Sequence, residues 1–282
     1  MTVGALIFAH NNTGIDYTRL AVFCAKRVRK YLDIPVSIVT DNGNWLRNNY
    51  PDHPFDKVVE IPPEYQHHSK LFYDGTLSNK KLEWKNGTRF KAYDLTPYDT
   101  TLVLDSDMII CSNKLKDALS RDVPFQLFRQ GFDITGWRDQ TPYHRINPYS
   151  IPFYWATVCV FKKDPVVEAF FNLVSYIKQN WFYFRVLYSI DMENFRNDFA
   201  FSIAIHIMNG KMQGDFATEL PGKLNFIEDK DVLLSANGPT LKFLLQKKDR
   251  LGEYIVAKTE GLDVHVMNKI SLEREIMGEA RE

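Results

Sequence analysis

The sequence predicts an α/β fold, and three observations carry that prediction. Val3 to Ala9 is a continuous apolar run of strand length, as expected of a strand covered on both faces. A helical pattern follows it, and two more short β-branched runs come after the helix. A second long apolar run, Thr101-Leu102-Val103-Leu104, leads straight into acidic residues. No stretch marks a domain boundary, so residues 1–282 read as a single domain with an accessory C-terminal segment.

The 282 residues are 45% apolar and carry no formal net charge. That is enough core for one large domain or two small ones, and the balanced charge argues against a protein that coats nucleic acid nonspecifically. No apolar run approaches the ~20 residues needed to span a bilayer. The first ten residues lack a basic leader and read as a first strand. Cys24, Cys111 and Cys159 are isolated, odd in number and set among apolar residues, with no zinc or disulfide spacing. A cytoplasmic protein with no membrane partner is the expectation.

Taken in order, His10 to Gly14 is a polar turn. A helix is expected from about Asp16, with Leu20, Phe23, Cys24, Val28 and Tyr31 at helical spacing. Ile34-Pro35 restarts the chain. Val36 to Thr40 is the second strand, ending at Asp41-Asn42-Gly43, and Val58 to Ile61 is a short third, stopped by Pro62-Pro63. Residues 64–88 read as polar, irregular chain, with His67-His68 open as solvated surface or as metal ligands. Arg89 to Leu95 reads as a short helix feeding the acidic strand. A helix over Lys114 to Leu119 and a strand over Phe125 to Phe128 come next.

Arg129 to Trp155 is rich in aromatics and has little periodicity; such a loop either packs onto the body or offers a platform for an acceptor. Thr157 to Phe161 is a further strand. Asp164-Pro165 starts a helix with a capping acid and proline at its first position. Another helix runs from Asn197-Asp198 to Gly210. The remainder is a mixed tail: a basic segment from Lys242 to Arg250, a strand from Asp263 to Met267, and a charged helical end.

The chemistry centres on Leu104-Asp105-Ser106-Asp107. Strand alternation points residues i and i+2 the same way, so both carboxylates share one side at the strand's end. Two carboxylates that close repel unless a proton or cation lies between them, and ligands gather at the carboxyl ends of strands in open α/β sheets. A divalent cation carrying a diphosphate meets all three constraints; a solvated turn is the plain alternative.

This layout resembles the nucleotide-sugar glycosyltransferases of the GT-A fold, especially the glycogenin-like, retaining group. The match rests on Val39-Thr40-Asp41, Thr88-Arg89-Phe90, Tyr93-Asp94-Leu95-Thr96-Pro97-Tyr98, Leu104-Asp105-Ser106-Asp107, Asn197-Asp198, Leu220-Pro221 with Asn225, and His265 with Lys269. The resemblance implies a mixed sheet flanked by helices. Residues 1–112 would form a nucleotide-binding half, and residues 113–282 an acceptor half ending in a metal and diphosphate segment. It implies Mn²⁺ or Mg²⁺ held by Asp105, Asp107 and His265, with Lys269 and Arg89 on the donor diphosphate and Lys91 as the fallback for Arg89. Asp198 would act at the donor sugar. Asn11, Asn12, Tyr17 and Asp41, at the ends of the first two strands, would hold base and ribose of a donor expected to be UDP-linked. Plainer readings stay open: Arg89 as a surface charge, His265 as a core residue, Asp198 as a helix cap.

Two departures from that pattern matter. Trp155-Ala156-Thr157 stands where the group has a small polar stretch, so an indole would reshape the sugar pocket and bring a pentose donor into play beside a hexose. Lys269 follows His265 more closely than is usual, without the intervening glycine or the Pro-Trp ending.

The rival classes are a haloacid-dehalogenase-like phosphatase, whose acid-x-acid motif belongs on a first strand, and a non-catalytic nucleotide-sugar-binding protein. A calcium loop fails because no acid or glycine continues the spacing after Asp107. The acceptor is open among a protein, a glycan primer, a small molecule and a hydroxylated DNA base, the last as in some phage-encoded transferases. Lys80, Lys81, Lys85, Lys242, Lys247, Lys248 and Arg250 would suit a DNA groove or a solvated face equally.

Overall fold

A computed structural model describes residues 1–62, 68–85 and 87–279. Of the His67-His68 pair, His67 lies outside these residues. β1 (Val3–Ala9) is buried almost throughout, as a strand covered on both faces must be. Asp16 caps α1 (Tyr17–Leu32) by accepting from the Arg19 amide, and Leu20, Cys24 and Val28 are buried along the helix. β2 (Val36–Thr40) pairs parallel to β1. α2 (Gly43–Asn49) follows, and then β3 (Lys57–Glu60), parallel to β2.

Residues expected to be irregular instead form a hairpin of β4 (Ser69–Tyr73) and β5 (Asn79–Glu83). The hairpin carries Lys70, Lys80 and Lys81, which mask strand propensity; only its inner face, with Phe72 and Leu82, is packed into a core. A 3-10 turn over Arg89–Lys91 runs into α3 (Ala92–Leu95), as the expected short helix. β6 (Thr100–Asp105) then lies parallel to β1, with Phe8 opposite Asp105. β7 (Met108–Ile109) leaves this sheet for another.

The second half adds α4 (Leu115–Ser120), β8 (Phe125–Phe128) and β9 (Gly131–Asp133). β10 (Trp155–Lys162) runs antiparallel to both β6 and β8. Asp164 caps α5 (Pro165–Gln179) through the Val166 amide, and α6 (Trp181–Leu187) and α7 (Asn197–Met208) follow. β11 (Thr218–Glu219), β12 (Leu224–Ile227), β13 (Val232–Asn237), β14 (Thr240–Gln246), β15 (Tyr254–Glu260), β16 (Val264–Val266) and α8 (Lys269–Glu279) complete the chain.

The central sheet has the order β11-β8-β10-β6-β1-β2-β3, so strands from both halves share it. It is mixed: β1, β2, β3 and β6 are parallel and β10 opposes them. Helices flank it, as the expected mixed α/β class requires. A second sheet, β7-β16-β12-β9, grows from the end of β6. The tail is more ordered than its sequence suggested, because the basic segment supplies β14 of the antiparallel sheet β13-β14-β15. That sheet and α8 enclose a second core around Leu233, Leu241, Phe243 and Leu272. Among the described residues no helix is long and apolar enough to cross a membrane.

Candidate functional site

β6 ends at Asp105, and the chain turns through Ser106 and Asp107 into β7. β7 pairs antiparallel with β16, which sets His265 opposite Met108, and the Val266 amide donates to the Asp107 carbonyl at 3.0 Å. Strand pairing thus carries His265 across the chain to the acidic turn. Its Nε2 lies 3.1 Å from Asp107 Oδ2, and Lys269, at the start of α8, sets its Nζ 2.6 Å from the same oxygen. One ligand atom from each of Asp105, Asp107 and His265 lies within 4.8 Å of the other two.

Burial would raise the Asp107 carboxyl, but Lys269 and then His265 hold it far below the usual carboxylate range. Burial likewise works against charge on Lys269, yet Asp107 keeps its ammonium above the ordinary value.

Arg89 is not a surface charge. It is 1% exposed, and its guanidinium donates to the Asp105 carboxylate and to the Ala156 carbonyl. Burial holds it below the ordinary guanidinium value. The Ala156 amide donates to Asp198 Oδ1 at 2.9 Å, and Asp198 Oδ2 receives Arg196 at 2.8 Å. This chain of contacts exists because the sheet lets go of Ala156. The register of β10 to β8 shifts between Trp155 and Cys159, and pairing with β6 begins only at Val158. A buried peptide outside a ladder needs other partners, and Arg89 and Asp198 supply them. Asp198 sits in the first turn of α7, where a carboxylate also complements the helix dipole.

These residues line a cleft of about 520 Å³. Tyr17 lines it too, its hydroxyl driven well above the ordinary value by burial first. Asp41 stands behind the wall, its Oδ1 3.4 Å from Nδ1 of His10, which does line the cleft and reaches Thr88 through Nε2 at 2.9 Å. Asn11 and Asn12 are turned to structural work. Asn11 bonds Asp16 and the Thr18 amide, and Asn12 bonds the Glu83 carbonyl and the amides of Gly14 and Ile15. Neither lines the cleft. Lys91 also lies off it, with its ammonium 5.6 Å from the Phe90 ring centre.

The aromatic loop divides. Tyr149 and Phe132 are exposed and Phe153 is buried, while Tyr143 and Trp155 reach the cleft. Trp155 is 1% exposed and is packed among Tyr143, Phe153 and Phe226. Asn225 bonds the Asp263 carbonyl and lines a different cavity.

Among the further residues of the cleft that the sequence did not single out are Lys70, Trp84, Arg196 and Glu228. Burial lifts the Glu228 carboxyl above its ordinary value, against the pull of Arg138. No motif marks these residues, because each arrives from a separate segment. Only the hairpin's alternation, with Lys70 two residues before the buried Phe72, carried a readable signal.

The fold and cleft define a mixed α/β protein with a site lined by acids and cations at the carboxyl end of its central strand. No family model matches the chain, and no curated protein matches it. Among solved structures it is similar to the glycosyltransferase GlyE of Streptococcus pneumoniae TIGR4, with 13% identity, 78% of this chain covered and a TM-score of 0.42. It spans only 46% of that protein's length. It is similar to the galactosyltransferase LgtC in complex with donor and acceptor sugar analogues, with 14% identity over 76% of this chain and 72% of that one, at a TM-score of 0.47. It is also similar to the bifunctional IspDF of Campylobacter jejuni, with 10% identity over 79% of this chain and 50% of that one, at 0.44.

Proposed function

We propose that this chain is a metal-dependent glycosyltransferase of the GT-A type, moving a sugar from a UDP-linked donor to a hydroxyl acceptor. The reading is carried by the convergence of Asp105, Asp107 and His265 at the end of β6, where all three line the cleft. Two carboxylates and one imidazole suit a hard divalent cation, and the imidazole favours Mn²⁺ somewhat over Mg²⁺. His265 Nε2, 3.1 Å from Asp107 Oδ2, is the ring atom placed to join the two carboxylates on an ion. When bound, such an ion would supply Lewis-acid neutralisation of a departing nucleoside diphosphate.

The chain's own residues do the rest in this reading. Lys269 adds fixed positive charge for the diphosphate. Arg89 positions Asp105 and the Ala156 peptide rather than touching the donor. Asp198, held by the Ala156 amide and Arg196, serves the transferring sugar through its hydroxyls or its cationic anomeric carbon. Tyr17, with Asp41 acting through His10, lies at the strand ends for base and ribose. The Trp155 indole narrows the space beside Asp198, which favours a pentose over a hexose. Trp84 and Tyr143 give the acceptor flat faces to stack on, and a hydroxylated base of DNA is one acceptor compatible with them and with the cations of the cleft. Resemblance favours retention of anomeric configuration, and a cytoplasmic setting suits the three free, buried cysteines.

The test is release of nucleoside diphosphate from a panel of UDP- and GDP-linked hexoses and pentoses in Mn²⁺. Slow release from one donor, abolished in the Asp105→Ala/Asp107→Ala double variant, is the expected outcome. Absence of release and of donor binding with any divalent ion would overturn the reading.

A further inference from the structure

The hairpin of β4 and β5 carries a cation that the proposed chemistry leaves without a role. In this antiparallel pair Lys70 lies opposite Leu82 and Phe72 opposite Lys80, so the four share one face. Phe72 and Leu82 pack into the second core. That packing turns the face inward and brings Lys70 into the lining of the cleft. Asn194 ties the hairpin to the segment bearing Arg196 by donating to the Ser69 carbonyl at 3.5 Å.

Lys70 lines the same cleft as Arg196 and Lys269. Arg196 is matched by Asp198 at 2.8 Å and Lys269 by Asp107 at 2.6 Å. Lys70 has no ion pair among the described residues. Burial, then Lys269, then Arg196 push its ammonium down to about 8, against the pull of Asp229 and Asp107. The other cations lining the cleft, Lys85, Arg89, Arg196 and Lys269, each face a carboxylate of this chain, so among the described residues Lys70 is the one with charge left to offer an incoming anion. A lysine is suited to this, since its ammonium acts as a mobile point charge toward phosphate oxygens.

We propose that Lys70, together with Arg196 and Lys269, forms an oxyanion subsite that grips the donor's diphosphate from the hairpin side. The assignment of that diphosphate to a donor rests on the transferase reading. The cation cluster itself does not.

The experiment measures binding of UDP and of inorganic pyrophosphate, each with Mg²⁺, by calorimetry for the wild type, Lys70→Gln and Lys70→Arg. Uridine, followed by ligand-observed NMR, is the phosphate-free probe. Lys70→Gln is expected to weaken both phosphate ligands about tenfold, the scale of one charged hydrogen bond. Lys70→Arg is expected to stay close to wild type, and uridine to be unaffected. Unchanged affinity in Lys70→Gln would overturn the subsite and leave the transferase reading standing. A loss extending to uridine would overturn it as well, because the hairpin's position would then be the cause. Wild-type protein that binds neither phosphate ligand overturns both. Conversely, UDP binding that needs Lys70 but survives Asp105→Ala/Asp107→Ala without change would overturn the metal reading and keep the subsite.

Discussion

Lys269 and Asp107 form a buried ion pair, with Nζ 2.6 Å from Oδ2, and His265 Nε2 approaches the same oxygen at 3.1 Å. The lysine thus already provides positive charge where a divalent cation would add more. Removing one partner of a buried pair typically costs ~3–5 kcal/mol. Lys269→Met is expected to lower Tm by several degrees in EDTA. Mn²⁺ should then raise the variant's Tm by more than it raises that of the wild type, because the ion becomes the main counter-charge for Asp107. Thermal unfolding with and without Mn²⁺ reads this directly. Equal Mn²⁺ responses would sink the idea that lysine and metal share one carboxylate.

Arg89 joins the Asp105 carboxylate to the Ala156 carbonyl from a fully buried position. Its planar fork reaches two acceptors at once, which a lysine ammonium does not reproduce. Arg89→Met leaves Asp105 without its buried cation and is expected to cost about 3 kcal/mol or more in denaturant unfolding. Arg89→Lys should recover part of that stability while Mn²⁺ affinity stays weakened, since Asp105 is no longer held in place. Full Mn²⁺ affinity in Arg89→Lys would remove the positioning role.

Asp198 tests whether the α7 acid is chemical or only structural. Asn keeps an acceptor for the Ala156 amide and loses only the charge toward Arg196, a partly exposed pair worth up to ~1 kcal/mol. Asp198→Asn should therefore fold with nearly unchanged Tm. Turnover of the donor is expected to fall about a hundredfold to a thousandfold, as when charge facing a transition state is removed. Matched Tm and matched turnover would return Asp198 to the role of a structural bridge.

What was legible in the sequence is what one element decides for itself. The apolar runs of β1 and β6, the start of α1 near Asp16, the Asp164 cap and the acid-x-acid step each follow from neighbours within a few residues. His265 and Lys269 were found through family resemblance; the β7–β16 pairing that brings them to Asp107 is a long-range fact. Lys70, Arg196 and Glu228 stayed hidden because they meet only after distant segments have paired. α2 and α6 were missed because seven residues hold too little periodicity. The sheet of β13, β14 and β15 was missed because its outer strand, Tyr254–Glu260, has no fully buried residue and exposes Ile255 and Val256, so it shows no apolar-in, polar-out alternation.

Trp155 should decide which sugar fits. Its indole is buried against Gly131, where an added Cβ would come within 2.8 Å of the ring, so it has little room to retreat. Trp155→Leu is expected to open the wall beside Asp198, at a cost of ~2–4 kcal/mol for the cavity. The ratio of hexose to pentose donor turnover should rise severalfold or more in the variant. An unchanged ratio, in protein that still folds, would show that the indole does not bound the sugar.

Donor affinity should also depend on pH through Lys70. Burial, Lys269 and Arg196 bring its ammonium down to about 8, while Asp229 and Asp107 pull the other way. Lysine attracts a diphosphate only when protonated, so this contribution is full below about pH 8 and fades as the pH climbs past it. Binding of the anion itself raises the lysine's pKa, and the linkage therefore appears as a Kd that weakens with rising pH. Lys70→Gln should bind UDP weakly with little slope between about pH 7 and 9.5, whereas Lys70→Arg, which stays charged throughout, should bind tightly with little slope. Calorimetric titrations across that range separate the three. Parallel profiles for wild type and Lys70→Gln would mean that another group titrates, and Lys70 would lose its place on the phosphate.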